Sequence, residues 1–156
     1  RIRLGITFAN QLTSSNFMKN VVICSVGSCD AGTREGSAEA LLDYQGRTKY
    51  LHLRLRDTTA NRCIIEGLIA GVKHLKEPCV VTLVTATKIG VEKAVRGKGV
   101  NANLVVSLVR ELQARDCTFD FEVWEGKGDV LRSRVIAGRN GRAENFGRLS
   151  GPSTSA

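Results

Sequence analysis

Four cations, Lys88, Lys93, Arg96 and Lys98, fall within one short stretch that holds a single acid, Glu92, and two glycines. Clustered ammonium and guanidinium groups suit phosphate oxygens, because they displace condensed counterions and gain affinity without reading bases. A solvated helix face is the alternative reading of the same run. A second set lies on Lys49–Arg56, where Tyr50, His52, Arg54 and Arg56 alternate with Leu51, Leu53 and Leu55. Aromatic and Arg planes of that kind stack on unpaired bases. Arg139 and Arg142 add two more cations in a Gly-Arg-Asn-Gly-Arg run near the end of the sequence. Metal chemistry finds less to work with. The five cysteines, Cys24, Cys29, Cys63, Cys79 and Cys117, contain no C-x-x-C pair, and His52 and His74 are not spaced as ligands. No metal and no other cofactor is expected.

The 156 residues are 42% apolar and 24% charged, which fits one globular domain with its own core. Lys and Arg number 23 against 15 Asp and Glu, a net charge of +8 that points to a polyanionic partner, nucleic acid first. Only 5% of residues are aromatic, which argues against a broad base-stacking platform. Apolar runs such as Val80–Ala86 fall far short of the roughly 20 residues of a membrane-spanning helix, so no membrane partner is expected. An odd number of scattered cysteines in a chain of this size reads as free thiols in a reducing, intracellular compartment, with Cys24 and Cys79 in the core.

Three regions emerge. Residues 1–19 form a basic N-terminal extension with Arg1, Arg3, Lys19 and no acid. It resembles the remnant of an organelle transit peptide, which would make the protein mitochondrial; a plain excerpt boundary reads equally well. Residues 139–156 form a Gly/Arg/Ser-rich tail too polar to order itself, expected to be held by neighbouring proteins or RNA of a large assembly. Residues 20–138 carry legible periodicity. Val21–Val26 reads as a buried strand, Ala38–Tyr44 as a second, Gln45-Gly46-Arg47 as a hairpin turn and Lys49–Arg56 as a third strand. After Asp57-Thr58-Thr59, which has the composition of an N-cap, Ile64, Ile65, Leu68, Ile69, Val72 and Leu75 recur at helical spacing until Pro78. Cys79–Thr85 is a continuous apolar run suited to a central parallel strand. Lys88–Val95 and Asn103–Arg115 follow as helices, Thr118–Trp124 as a strand and Val130–Ala137 as a closing helix. The order implies an α/β fold with a mixed five-stranded sheet flanked by helices.

That order and three local sequences resemble the ribonuclease H-like superfamily. Val21-Val-Ile-Cys-Ser-Val-Gly-Ser-Cys29 is similar to the family's first strand, which ordinarily ends Asp-Gly-Ser. Thr58-Thr-Ala-Asn-Arg-Cys-Ile64 is similar to its T-T-x-N-R-x-E, and Val81-Thr-Leu-Val-Thr-Ala-Thr87 to its fourth strand, which ends Thr-Asp-Ser. In that family a carboxylate cluster holds two divalent metals that cleave an RNA phosphodiester. On this register the carboxylate positions are Val26, Ile64 and Ala86, none of which can ligate a metal. The fourth falls near Arg132, Ser133 and Arg134, with Asp129 a few residues early. The resemblance therefore implies a catalytically inactive member.

It also implies where RNA would lie. In active relatives the T-T-x-N-R turn reaches the RNA backbone, and Thr59 and Asn61 stand at the matching positions; helix capping is the bland reading of the same residues. The basic run Lys88–Lys98 corresponds to a protrusion that grips the duplex in several members. The expected protein is a non-catalytic RNA-binding or structural component of a ribonucleoprotein, with an organellar ribosome as the specific expectation. The sequence also admits two alternatives: an active RNA–DNA hybrid nuclease using displaced acids such as Glu66, Asp30 and Asp129, and a pseudo-domain scaffold of reverse-transcriptase or viral origin.

Overall fold

A computed structural model describes residues 2–5 and 18–150, with side chains over 18–140. Five strands, β2 (Lys19–Cys29), β3 (Gly36–Tyr44), β4 (Arg47–Leu55), β5 (Cys79–Thr85) and β6 (Thr118–Val123), form the mixed sheet that the hydrophobic pattern predicts. The sheet order is β1-β6-β5-β2-β3-β4. β2 runs antiparallel to β3 and parallel to β5, and β5 parallel to β6. The sixth member, β1 (Ile2–Gly5), comes from the segment expected to be an extension; it pairs antiparallel with β6, Ile2 opposite Val123 and Gly5 opposite Asp120. The β3–β4 connection works because Gln45 and Gly46 both take positive φ, 52° and 88°, the geometry a two-residue hairpin needs to match strand twist.

Helices α1 (Ala60–Lys73), α2 (Val91–Val95) and α3 (Ala102–Ala114) cover one face of the sheet. Ile65, Leu68 and Val72 of α1 and Leu108 and Leu112 of α3 close over Ile23, Val81, Leu83 and Phe121, all fully enclosed or nearly so. Lys88–Ile89 stay outside α2 because Gly90 adopts a left-handed φ of 78°, which breaks helical propagation there. Helix α4 (Gly128–Ser150) lies on the opposite face against β2, β3 and β4. It begins earlier and runs further than Val130–Ala137, so residues 139–150, expected to be tail, continue its backbone as helix. Arg142 lies outside the described side chains.

The face of β4 expected to be wet is divided. Tyr50 packs under α4, whereas His52 and Arg54 are exposed. No helix of the described residues is long and apolar enough to cross a membrane.

Candidate nucleic-acid interface

Strands β2, β4 and β5 run in the same direction, so their C-terminal ends share one edge of the molecule with the N-terminus of α1. Thr59 is the α1 N-cap: its φ of −132° keeps it outside the helix and its Oγ1 accepts from the Arg62 N–H at 3.2 Å. Thr58 turns inward and is buried. Asn61 is exposed, and Thr87 Oγ1 donates to its Oδ1 at 3.5 Å, which sets Lys88 beside the start of α1. Arg62 reaches Asn101 Oδ1 at 3.5 Å and ties the same turn to the start of α3.

Both predicted cation groups flank this turn. Lys88, Lys93, Arg96 and Lys98 are exposed on the α2 side, with Lys98 N–H folded back onto the Lys93 carbonyl at 2.8 Å. On the other side exposed Arg54 and Arg56 line a cleft of about 440 Å³ with Glu35, Ser37 and His52. The chain thus presents cation, hydroxyl–amide and cation groups in sequence along one end of the sheet. Arg139 is placed differently. Its guanidinium lies 3.6 Å from Glu39 and over the Tyr50 ring at 5.5 Å, so it serves the packing of α4.

Of the positions matched to metal-holding carboxylates, Val26 and Ile64 are buried and Ala86 is half-buried. Val26, 5% exposed, belongs to an apolar cluster with Cys24, Leu41, Val84, Leu131 and Val135, and Ala86 packs against it. Ile64 is buried, its carbonyl taking the Ser25 hydroxyl at 2.8 Å. The residue that α4 turns into the cluster is Leu131, whereas Arg132 pairs with Glu39 at 3.3 Å and Arg134 with Asp43 at 2.8 Å. These residues do not fit a divalent metal pair, which needs oxygen ligands and negative charge. The displaced acids do not gather either. Asp30 accepts from the Thr33 and Gly32 N–H groups, which hold its carboxyl below the usual range, and Asp129 is exposed. Among the described residues no three His, Cys, Asp or Glu side chains stand together as a metal site.

One carboxylate beside this cluster carries no signal in the sequence. Glu39 stands directly across the ladder from Val26. It is already engaged by the Tyr50 hydroxyl, Arg132 and Arg139. Partners 93 positions apart leave no local signal.

The strand order β4-β3-β2-β5-β6, with α1 and α3 on one face and α4 on the other, decides the architecture. The fold is ribonuclease H-like. It is similar to the solved structure of LC9-RNase H1, described as a type 1 RNase H with the type 2 active-site motif, at a TM-score of 0.59 and 16% identity over 81% of this chain and 75% of that one. Curated ribonuclease H proteins share sequence with part of this chain. That of Caldicellulosiruptor saccharolyticus is 43% identical over 68 residues, 44% of this chain and 47% of its own length. That of Chelativorans sp. is 38% identical over 68 residues, 44% and 42% of the two chains. That of Desulforamulus reducens is 31% identical over 80 residues, 51% and 50%. The matched part thus spans about half the length of these relatives. No family model matches the chain.

Proposed function

We propose that this ribonuclease H-like chain binds RNA without cleaving it, as a component of a ribonucleoprotein. The observation that carries the reading is the contrast at one end of the sheet. Apolar Val26, Ile64 and Ala86 stand where the resemblance puts metal-holding carboxylates, while Thr59, Asn61 and the cations on either side of them remain exposed. A surface of that kind holds a phosphate backbone by charge and hydrogen bonds, and among the described residues no acid cluster gathers there to hold a water-activating metal. The bland role of Thr59 is satisfied at the same time, since capping uses one lone pair of its hydroxyl and leaves the side chain in the open. Arg54 and Arg56 on one flank and Lys88, Lys93, Arg96 and Lys98 on the other carry the electrostatic share of binding. An organellar, mitochondrial ribosome is the particle proposed, on the net charge of +8.

Two experiments test this. The chain is incubated with an RNA–DNA hybrid in Mg²⁺ or Mn²⁺: intact hybrid and retarded mobility are expected, and cleavage that Glu66→Ala abolishes would overturn the non-catalytic reading in favour of displaced acids. Sedimentation of a native lysate then asks whether the chain travels with ribosomal particles. Migration as a free monomer, unchanged by nuclease treatment, would remove the ribonucleoprotein assignment.

A further inference from the structure

Cys29 and Cys63, which the RNA-binding reading does not use, meet beneath the α1 cap. Alternate residues of β2 face α1: Ser25 bonds to Ile64, and a Cβ at Gly27 would sit 2.8 Å from Cys63 Cβ. Cys29 is next in that alternation. Its Sγ donates to the Thr58 carbonyl at 3.2 Å, while Cys63 Sγ lies 3.8 Å from the Thr58 hydroxyl. The two thiols therefore grip one residue from two sides.

Gly36 makes the approach possible. It pairs with Cys29 across the β2–β3 ladder, where opposed Cα atoms lie about 5 Å apart. A Cβ at Gly36 would stand 2.7 Å from Cys63 Sγ and 2.8 Å from Thr58 Cγ2, so the Cys63 sulfur rests on the position beside Cys29. Cys63 is fully enclosed and Cys29 only half-buried, so a small oxidant reaches Cys29 first. Burial pushes the Cys63 thiol above its ordinary 9.0, the Thr58 hydrogen bond opposes this, and the neighbouring Cys29 adds to it.

We propose that Cys29 and Cys63 are a dithiol modification site, oxidised to a disulfide by a hydroperoxide, and that closing it weakens the interface at Thr59 and Asn61. The second half rests on the RNA-binding reading and the first does not. The Cys29 thiolate attacks a peroxide oxygen, the O–O bond breaks, and Cys29 becomes a sulfenic acid with loss of water or alcohol. The Cys63 sulfur then displaces hydroxide from the Cys29 sulfur. The S–S bond forms, and the Cys63 proton leaves with that hydroxide as water. Two thiols lose two electrons and the peroxide gains them. The disulfide removes the S–H donor from the Thr58 carbonyl and draws Cys63 off the Thr58 hydroxyl, unpinning the turn that ends in Thr59.

The whole chain is treated with hydrogen peroxide, alkylated under denaturing conditions and digested without reduction. Of the five free cysteines three are expected to alkylate, with fragment spectra joining Cys29 to Cys63. Cys29→Ser should abolish the link and leave the remaining thiols free. Five alkylated cysteines, or a link through Cys24, overturns the dithiol. Affinity for an RNA hairpin should fall about fivefold on oxidation, the size of one lost hydrogen bond. It should return with dithiothreitol and hold steady under peroxide in Cys29→Ser. Unchanged affinity of the disulfide form overturns the coupling to the interface. Failure of the reduced chain to bind RNA overturns the proposed function instead, and the peptide map alone then decides the dithiol.

Discussion

An aspartate at position 26 would enter a cluster whose members are Cys24, Leu41, Val84, Leu131 and Val135, across the ladder from Glu39, a like charge that already engages Arg132 and Arg139. Val26→Asp is expected to cost on the order of 3 kcal/mol at neutral pH, the penalty of an unpaired carboxylate among apolar neighbours. Because burial would raise its folded pKa above the unfolded value, the loss should shrink in acid, where the group is neutral in both states. Urea midpoints at the two pH values check the sign; equal losses would mean that the site is wet. The thiols give a second residue-scale test. Burial pushes Cys24 and Cys79 up from 9.0 to about 11. The folded chain then keeps protons that the unfolded chain releases. Stability is fully present below pH 9.0, falls as pH rises towards about 11 and stays lost beyond it. In the native state iodoacetamide should label Cys29 ahead of both; prior labelling of Cys24 would contradict its burial. Residue chemistry was legible where type alone decides it, as with Val26, Ile64 and Ala86, which no fold can turn into ligands. The role of Glu39 was not, since its partners come from β4 and α4.

Helix α4 is held to the sheet by two kinds of contact, and the chain shows how little of that is written locally. Leu131 and Val135 enter the apolar cluster, and Arg132, Arg134 and Arg139 meet Glu39 and Asp43. Gly138 lets the helix come close, for a Cβ there would stand 2.4 Å from Leu41 Cδ2. Gly138→Ala gains helix propensity but forces α4 off Leu41, so a net loss of about 1 to 3 kcal/mol is expected by thermal unfolding. A stabilised variant would show that α4 has slack. Strands β2 to β6 and helices α1 and α3 were readable because alternation and the 3.6-residue period each report a buried face. The end of α4 was not, since Gly, Arg and Asn dominate its last turns. Strand β1 was not readable either, because four residues far from their partner β6 carry no period of their own.

At the scale of the molecule, charge is distributed along one end of the sheet, on both sides of Thr59 and Asn61. Neutralising Lys93, Arg96 and Lys98 together removes three exposed cations of the proposed interface. The slope of log affinity against log salt for RNA should therefore fall by about 2 to 3. Arg139→Ala should leave the slope unchanged while weakening α4 packing, because that guanidinium faces Glu39 and Tyr50. If the two variants exchange behaviours, the interface lies on the α4 face instead. Sequence similarity over about half of the chain and likeness of fold leave this distribution open, since function belongs to sites grafted on a fold and not to the fold itself.

The sequence holds one tryptophan. Trp124 follows β6, donates from Nε1 to Glu122 at 2.9 Å and packs against the cluster that Leu131 and Val135 of α4 complete. Its ultraviolet emission is thus a built-in gauge of helix seating: a shift to longer wavelength registers α4 lifting from the sheet, in a protein that needs no attached dye.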